Sequence, residues 1–173
     1  MFTAGATIHV QRPVVEVFRF VADARNRPQW DDSVESEELT SAGPIGVGTT
    51  VRTTLRTMGR KYRYDWVITE FQAPWRITIT STSGPLPTTL SYRLTDRVTD
   101  TEVGFTVSGY PAGAMRLLQP LIARSTQANL DRGFARLQEL LNADPPLVTF
   151  GDAHKTPAAR LNAERDMPMG PMG

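Results

Sequence analysis

Three groups of side chains in this sequence have types and spacings that could do chemistry. In residues 62–71, Tyr62, Tyr64, Trp66 and Ile68 occupy alternate positions, and Arg63, Asp65, Val67, Thr69 and Phe71 occupy the others. Extended backbone sends these two sets to opposite faces. Alternation does not choose between them, because Val67 and Phe71 are also apolar. With the aromatic set inward, Tyr64 and Trp66 wall a pocket and a tyrosine hydroxyl offers a weak acid or hydrogen-bond donor. The competing reading is plain aromatic packing. Tyr92 carries the same chemistry on a face that Leu90 and Leu94 mark as buried.

The second group lies near the C-terminal end, where Leu118, Ile122, Phe134 and Leu137 follow helical spacing. Ser125, Thr126 and Asn129 continue that inward stripe although they are polar. Buried polar groups need partners. Either the helix faces a cavity there, or its register drifts at Pro120. The third group is acidic: Asp31, Asp32, Glu35, Glu37 and Glu38. Paired carboxylates do acid/base work only at a fixed separation in one cleft, and nothing in the spacing enforces that. They are expected to form a solvated acidic edge, which also discourages strand-to-strand aggregation.

Composition removes several other chemistries. The 173 residues include no cysteine and only two histidines, His9 and His154. Disulfides, thiol nucleophiles, iron–sulfur clusters and Cys-ligated zinc are therefore excluded, and no metal or cofactor is expected. His9 alternates away from Ile8 and Val10, so it is expected to face solvent. The net charge of +1 gives no general pull toward nucleic acid or anionic membrane. Gly46 and Gly48 lack the Gly-Lys-Ser/Thr and helix that a phosphate loop requires, and read as a turn. No run approaches the roughly 20 apolar residues of a membrane span. The first ten residues lack a secretion signal's basic start and apolar run. The cytoplasm is the expected location.

The elements that must position these groups read clearly. Residues 4–11 alternate as a strand, and Pro13 opens a helix whose stripe is Val14, Val17, Phe18 and Val21. Pro28 ends that pattern in a loop containing Trp30. Six strand-like segments follow, over 33–39, 49–58, 62–71, 75–81, 88–95 and 101–109, joined by short turns that include a hairpin loop at 58–61. They form an antiparallel meander. A helical stretch over 112–142 ends the pattern, kinked or split near Pro120. Arg116, Arg124, Arg132 and Arg136 fall off its apolar stripe and read as a solvated face. Residues 145–173 contain five of the 13 prolines and no apolar period. They are expected to be a flexible tail after a domain of residues 1–144.

A twisted sheet of seven antiparallel strands with one apolar face must curl. Only the last helix is long enough to lie across its concave side, and a curled sheet around one helix leaves a cavity. The fold class expected is α+β, a curved seven-stranded antiparallel sheet gripping a long C-terminal helix. Residues 10–18 (VQRPVVEVF), 23–31 (DARNRPQWD), 46–49 (GVGT), 67–74 (VITEFQAP) and 130–141 carry a family resemblance. On them the chain resembles the START-like, helix-grip superfamily, closest to its polyketide cyclase/dehydrase branch. The resemblance spans roughly residues 4–143.

The resemblance implies a hydrophobic pocket for a small molecule such as a lipid, polyketide or isoprenoid. Trp30, Tyr64, Trp66, Tyr92, Phe105, Leu118, Ile122, Ser125 and Asn129 are the candidate ligand-binding residues. The alternative is a cyclase or dehydratase that works by positioning and acid/base groups without metal. Its candidates are Tyr64 or Tyr92 as acid, Asp65 as base and Asn129 as oxyanion donor. Periodicity forces no charged residue into the cavity, which favours binding over catalysis. A protein-interaction module is a further alternative, and an apolar patch on the sheet would favour it. The expected partner is a small hydrophobic ligand, with no nucleic acid and no integral membrane association. Oligomeric state is not legible.

Overall fold

A computed structural model of the chain describes residues 1–57 and 59–143. The strands are β1 (Phe2–Val10), β2 (Val34–Leu39), β3 (Thr50–Thr57), β4 (Arg60–Gln72), β5 (Arg76–Ser83), β6 (Thr88–Asp96) and β7 (Thr101–Gly109). The helices are α1 (Val14–Ala22) and α2 (Gln119–Asn142). Short 3-10 segments at Ala24–Gln29 and Gly113–Leu118 lead into β2 and α2. The expected tail over 145–173 lies outside the described residues.

The seven strands form one antiparallel sheet in the order β1-β7-β6-β5-β4-β3-β2. β2 to β7 are the meander, and β1 returns to pair with β7. Its inner face carries Ile8 and Val10 from β1, Leu90, Tyr92 and Leu94 from β6, and Val103, Phe105 and Val107 from β7. α1 adds Val14, Val17, Phe18, Phe20 and Val21. The C-terminal half of α2 completes the core with Leu130, Phe134, Leu137 and Leu141. The sheet grips one long helix, as the sequence implies.

α2 also covers the edge of β1 that β7 leaves open. Gln127 receives the Gly5 N–H at 3.1 Å and donates to the Gly5 carbonyl at 2.8 Å. Gln138 donates to the His9 carbonyl at 2.8 Å, and Asn142 Oδ1 accepts from the Gln11 N–H at 2.8 Å. Amide side chains here replace a neighbouring strand and satisfy backbone groups that an edge strand leaves unpaired. His9 faces outward as expected and pairs with Asp100 at 3.0 Å.

The helical stretch over 112–142 is split near Pro120, one of the two outcomes expected: a 3-10 segment covers Gly113–Leu118, and α2 begins at Gln119 with Pro120 in its first turn, where its missing N–H has no partner to lose. Three local expectations differ from the structure. Residues 24–29 are not an open loop but a 3-10 segment started by Asp23, whose carboxylate accepts from the Arg25 N–H at 3.1 Å. Trp75 is not in a strand: β5 begins at Arg76, and the indole is exposed on the turn. The hairpin between β3 and β4 is tighter than 58–61, since Arg60 and Lys61 already pair with Thr57 and Arg56. Gly59 supplies the positive φ of 74° that so short a turn needs. Met58 lies outside the described residues.

Candidate functional site

Where the C-terminal half of α2 is packed, its N-terminal half stands off the sheet, and a cavity of about 380 Å³ lies between. Tyr62, Tyr64 and Trp66 line it from β4, so the aromatic set is the inward one. The neighbouring strands decide this: Trp66 pairs with Val51 and Tyr64 with Thr53, both buried on the same face. The Tyr64 and Trp66 rings stack at 4.8 Å. Leu90 and Phe105 form the floor, Leu86 and Pro85 a rim, and Trp30 one end.

Ser125, Thr126 and Asn129 line the cavity from α2, together with Leu118, Ile122 and Leu130. Ser125 and Thr126 therefore line open space rather than a packed core, Asn129 does so while its Oδ1 accepts from Arg132 Nη2, and no register drift is needed. Tyr92 is set apart from the others. It is buried beneath Phe105, with the rings 4.6 Å apart, and faces a second space of only about 20 Å³, room for one water molecule. Trp30, Trp66, Leu90 and Arg27 stand between the two spaces and line both.

Asp65 is a correction. It lies on the outer face of β4, where Arg52 Nε donates to it at 2.8 Å and Ser83 Oγ at 2.9 Å. Those contacts hold its carboxyl below the ordinary range. Its outward register keeps it from serving as a base in the cavity.

The acidic stretch is the second correction. Asp32, Glu35 and Glu38 are exposed, but Asp31 and Glu37 are buried. A β-bulge between Val34 and Ser36 shifts β2 by one residue, so Glu37 faces Thr53 on the inner side. Arg27, carried by the 3-10 segment, reaches between the two acids. Its Nε donates to Asp31 Oδ2 at 3.0 Å with Nη2 2.9 Å from the same oxygen, and its Nη1 donates to Glu37 Oε1 at 3.3 Å. The indole N–H of Trp66 donates to Thr53 Oγ1 at 3.0 Å, and that hydroxyl donates to Glu37 Oε1 at 2.7 Å. Glu37 Oε2 is buried without a hydrogen-bond partner among the described residues.

Burial pushes the Glu37 carboxyl up, against the pull of Arg27 and of the Thr53 hydrogen bond. Burial also raises the Tyr92 phenol, with Glu37 and Asp31 adding to it and Arg27 opposing. Arg27 stays charged: the two acids outweigh its desolvation. Of the two acids around this cation Glu37 has the more buried side chain, and burial biases its carboxyl toward the protonated form. Desolvation likewise holds the Tyr64 hydroxyl protonated.

Arg27, Asp31 and Glu37 are the residues that strand alternation misses. The i, i+4 spacing of Arg27 and Asp31 was a usable signal. So was the run Val34, Glu37, Leu39, which fits one face only if a residue is bulged out.

This architecture is that of the helix-grip, START-like proteins. The family model for polyketide cyclase / dehydrase and lipid transport matches residues 1–142, and the chain belongs to that family. Among solved structures it is similar to TTHA0849 from Thermus thermophilus, at 21% identity and a TM-score of 0.71 over 81% of this chain and 97% of that one. It is also similar to the Zhui aromatase/cyclase from Streptomyces sp. R1128, at 16% identity and a TM-score of 0.64 over 84% and 99%. A START superfamily protein from Mycobacterium smegmatis matches at 13% identity and a TM-score of 0.64 over 80% and 98%. At these identities the likeness is one of fold. No curated protein matches the chain. Among the described residues no helix is long and apolar enough to cross a membrane.

Proposed function

We propose that this protein binds a small apolar molecule, of lipid, polyketide or isoprenoid character, in the cavity between the sheet and the N-terminal half of α2. The observation that carries this reading is the cavity itself: about 380 Å³, walled by aromatic and aliphatic side chains with a few hydroxyl and amide groups on one side. That pairing of apolar wall and sparse polar groups is what small-molecule sites use for affinity and orientation. The family's description, which joins cyclases with lipid transport, is consistent with it. A cytoplasmic setting is part of the same proposal. The test is native mass spectrometry of the purified protein, then solvent extraction of whatever is bound, alongside titration with the neutral fluorescent probe N-phenyl-1-naphthylamine. Saturable one-to-one probe binding supports the reading. No binding of probe or of any extracted molecule overturns it.

A cyclase-type enzyme is the second reading, and one observation favours it. Glu37 is a buried carboxyl that burial biases toward its protonated form, and it lines the same space as Tyr92, next to the cavity wall. Neutral acids of this kind can protonate a developing oxyanion. Turnover of a carbonyl substrate that Glu37→Gln abolishes, without loss of probe binding, would favour this reading over a pure carrier.

A further inference from the structure

The charges on the cavity wall restrict the chemical class of ligand, given the binding role proposed above. Among the described residues lining the cavity, Arg27 and Asp31 are the charged ones. They do not act independently. Arg27 spends donors on Asp31 and on Glu37, so two carboxyl groups surround one guanidinium. Asp31 Oδ1 is also filled, by the Ser33 N–H at 3.1 Å and the Ser33 hydroxyl at 2.6 Å. The side chains of Arg27, Asp31 and Glu37 are 15%, 9% and 4% exposed, so water screens them little.

The cluster therefore carries no charge when Glu37 holds a proton and one negative charge when it does not. It is positive only if both acids are protonated. A ligand carboxylate entering this space would give up its hydration, find no free cation on the wall, and come to rest near Asp31. A carbonyl or hydroxyl oxygen faces no such loss. Ser125, Thr126 and the Nδ2 group of Asn129, whose Oδ1 is held by Arg132, supply uncharged partners for it.

We propose that the cavity selects uncharged ligands, apolar molecules whose polar atoms are carbonyl or hydroxyl oxygens, and rejects the same skeleton when it ends in a carboxylate. This deepens the binding reading and rests on it.

The test uses the full chain loaded with N-phenyl-1-naphthylamine and displaced by 1-decanol or by decanoate at pH 8, below their micelle thresholds. Decanol is expected to displace the probe at a concentration at least tenfold lower. Part of any such preference comes from the acid's hydration, so a variant isolates the protein's share. Asp31→Asn combined with Glu37→Gln leaves Arg27 without an anion, and the alcohol-to-acid ratio is expected to fall at least tenfold. Should that variant fail to unfold cooperatively, Ser125→Lys puts a cation on the wall from the helix side and is expected to lower the ratio equally. Wild-type protein that binds decanoate as tightly as decanol overturns the proposal. So does a preference that survives unchanged in the folded charge variant. Absence of probe binding overturns the binding reading, and this inference with it.

Discussion

Phe134 is where α2, the sheet and the 3-10 segment meet, and its removal measures how the grip is held. The ring is 1% exposed. It meets Trp30 edge-on at 5.3 Å and Phe105 at 5.2 Å. Truncating a buried Phe to Ala costs about 3–5 kcal/mol, from lost transfer energy and the void left behind. Two features place this residue in the upper half of that range. Aromatic pairs contribute about 0.5–1.5 kcal/mol beyond area alone, and Phe134 takes part in two of them. Neither neighbour can easily collapse into the void, because Trp30 is also held against Gly133 and Phe105 against Tyr92. We expect Phe134→Ala to lose about 4–5 kcal/mol. Urea unfolding followed by tryptophan fluorescence and by circular dichroism would measure it, with coincident curves confirming a two-state transition. For a urea dependence of about 2 kcal/mol per molar, the midpoint should drop by roughly 2 M. A loss below about 1 kcal/mol would refute the placement of this helix face in the core.

Gly133 lies inside α2, where a glycine weakens a helix, and an added Cβ would touch Trp30 at an ordinary 3.5 Å. Gly133→Ala should therefore gain about 0.5–1 kcal/mol in thermal unfolding, and a loss would mean that Trp30 cannot accept the methyl. Glu37 gives a pH signature. Its carboxyl is raised in the folded state, so the stability it contributes is complete below the ordinary value of 4.5 and is lost as pH rises toward the folded value. Glu37→Gln escapes that loss. Its stability relative to wild type should improve above pH 4.5 by at most about 1.4 kcal/mol per pH unit, and a difference that stays flat would contradict a raised Glu37 carboxyl. Asn129→Leu should change the affinity for N-phenyl-1-naphthylamine severalfold while shifting the unfolding midpoint little. A variant that loses stability without a change in probe affinity would make Asn129 structural.

Much of this fold is legible in the sequence because its main elements follow a single period. Leu90, Tyr92 and Leu94, or Val103, Phe105 and Val107, alternate cleanly, and each strand built on them has one buried face. Val14, Val17, Phe18 and Val21 mark α1, and Phe134, Leu137 and Leu141 mark the packed half of α2. The polar break at Ser125, Thr126 and Asn129 is also visible as a pattern, since helical spacing alone sets those residues on the stripe that now lines the cavity.

What remained open depended on residues far away in the chain. β4 is apolar enough on both faces that only its pairing with Val51 and Thr53 of β3 turns Tyr64 and Trp66 inward. The buried ionic cluster is less legible still. One extra residue in β2 moves Glu37 from the side that alternation assigns it to the inner face. There it meets Arg27, which is carried by the 3-10 segment that Asp23 caps. Local period determines which residues share a face, and it does so within each element. A bulge resets that period, and the depth at which a charge sits is determined by the elements packed over it. The polar stripe of α2 was therefore readable from the sequence, whereas the inward turn of the aromatic wall and the burial of charge beside the cavity were decided by tertiary structure.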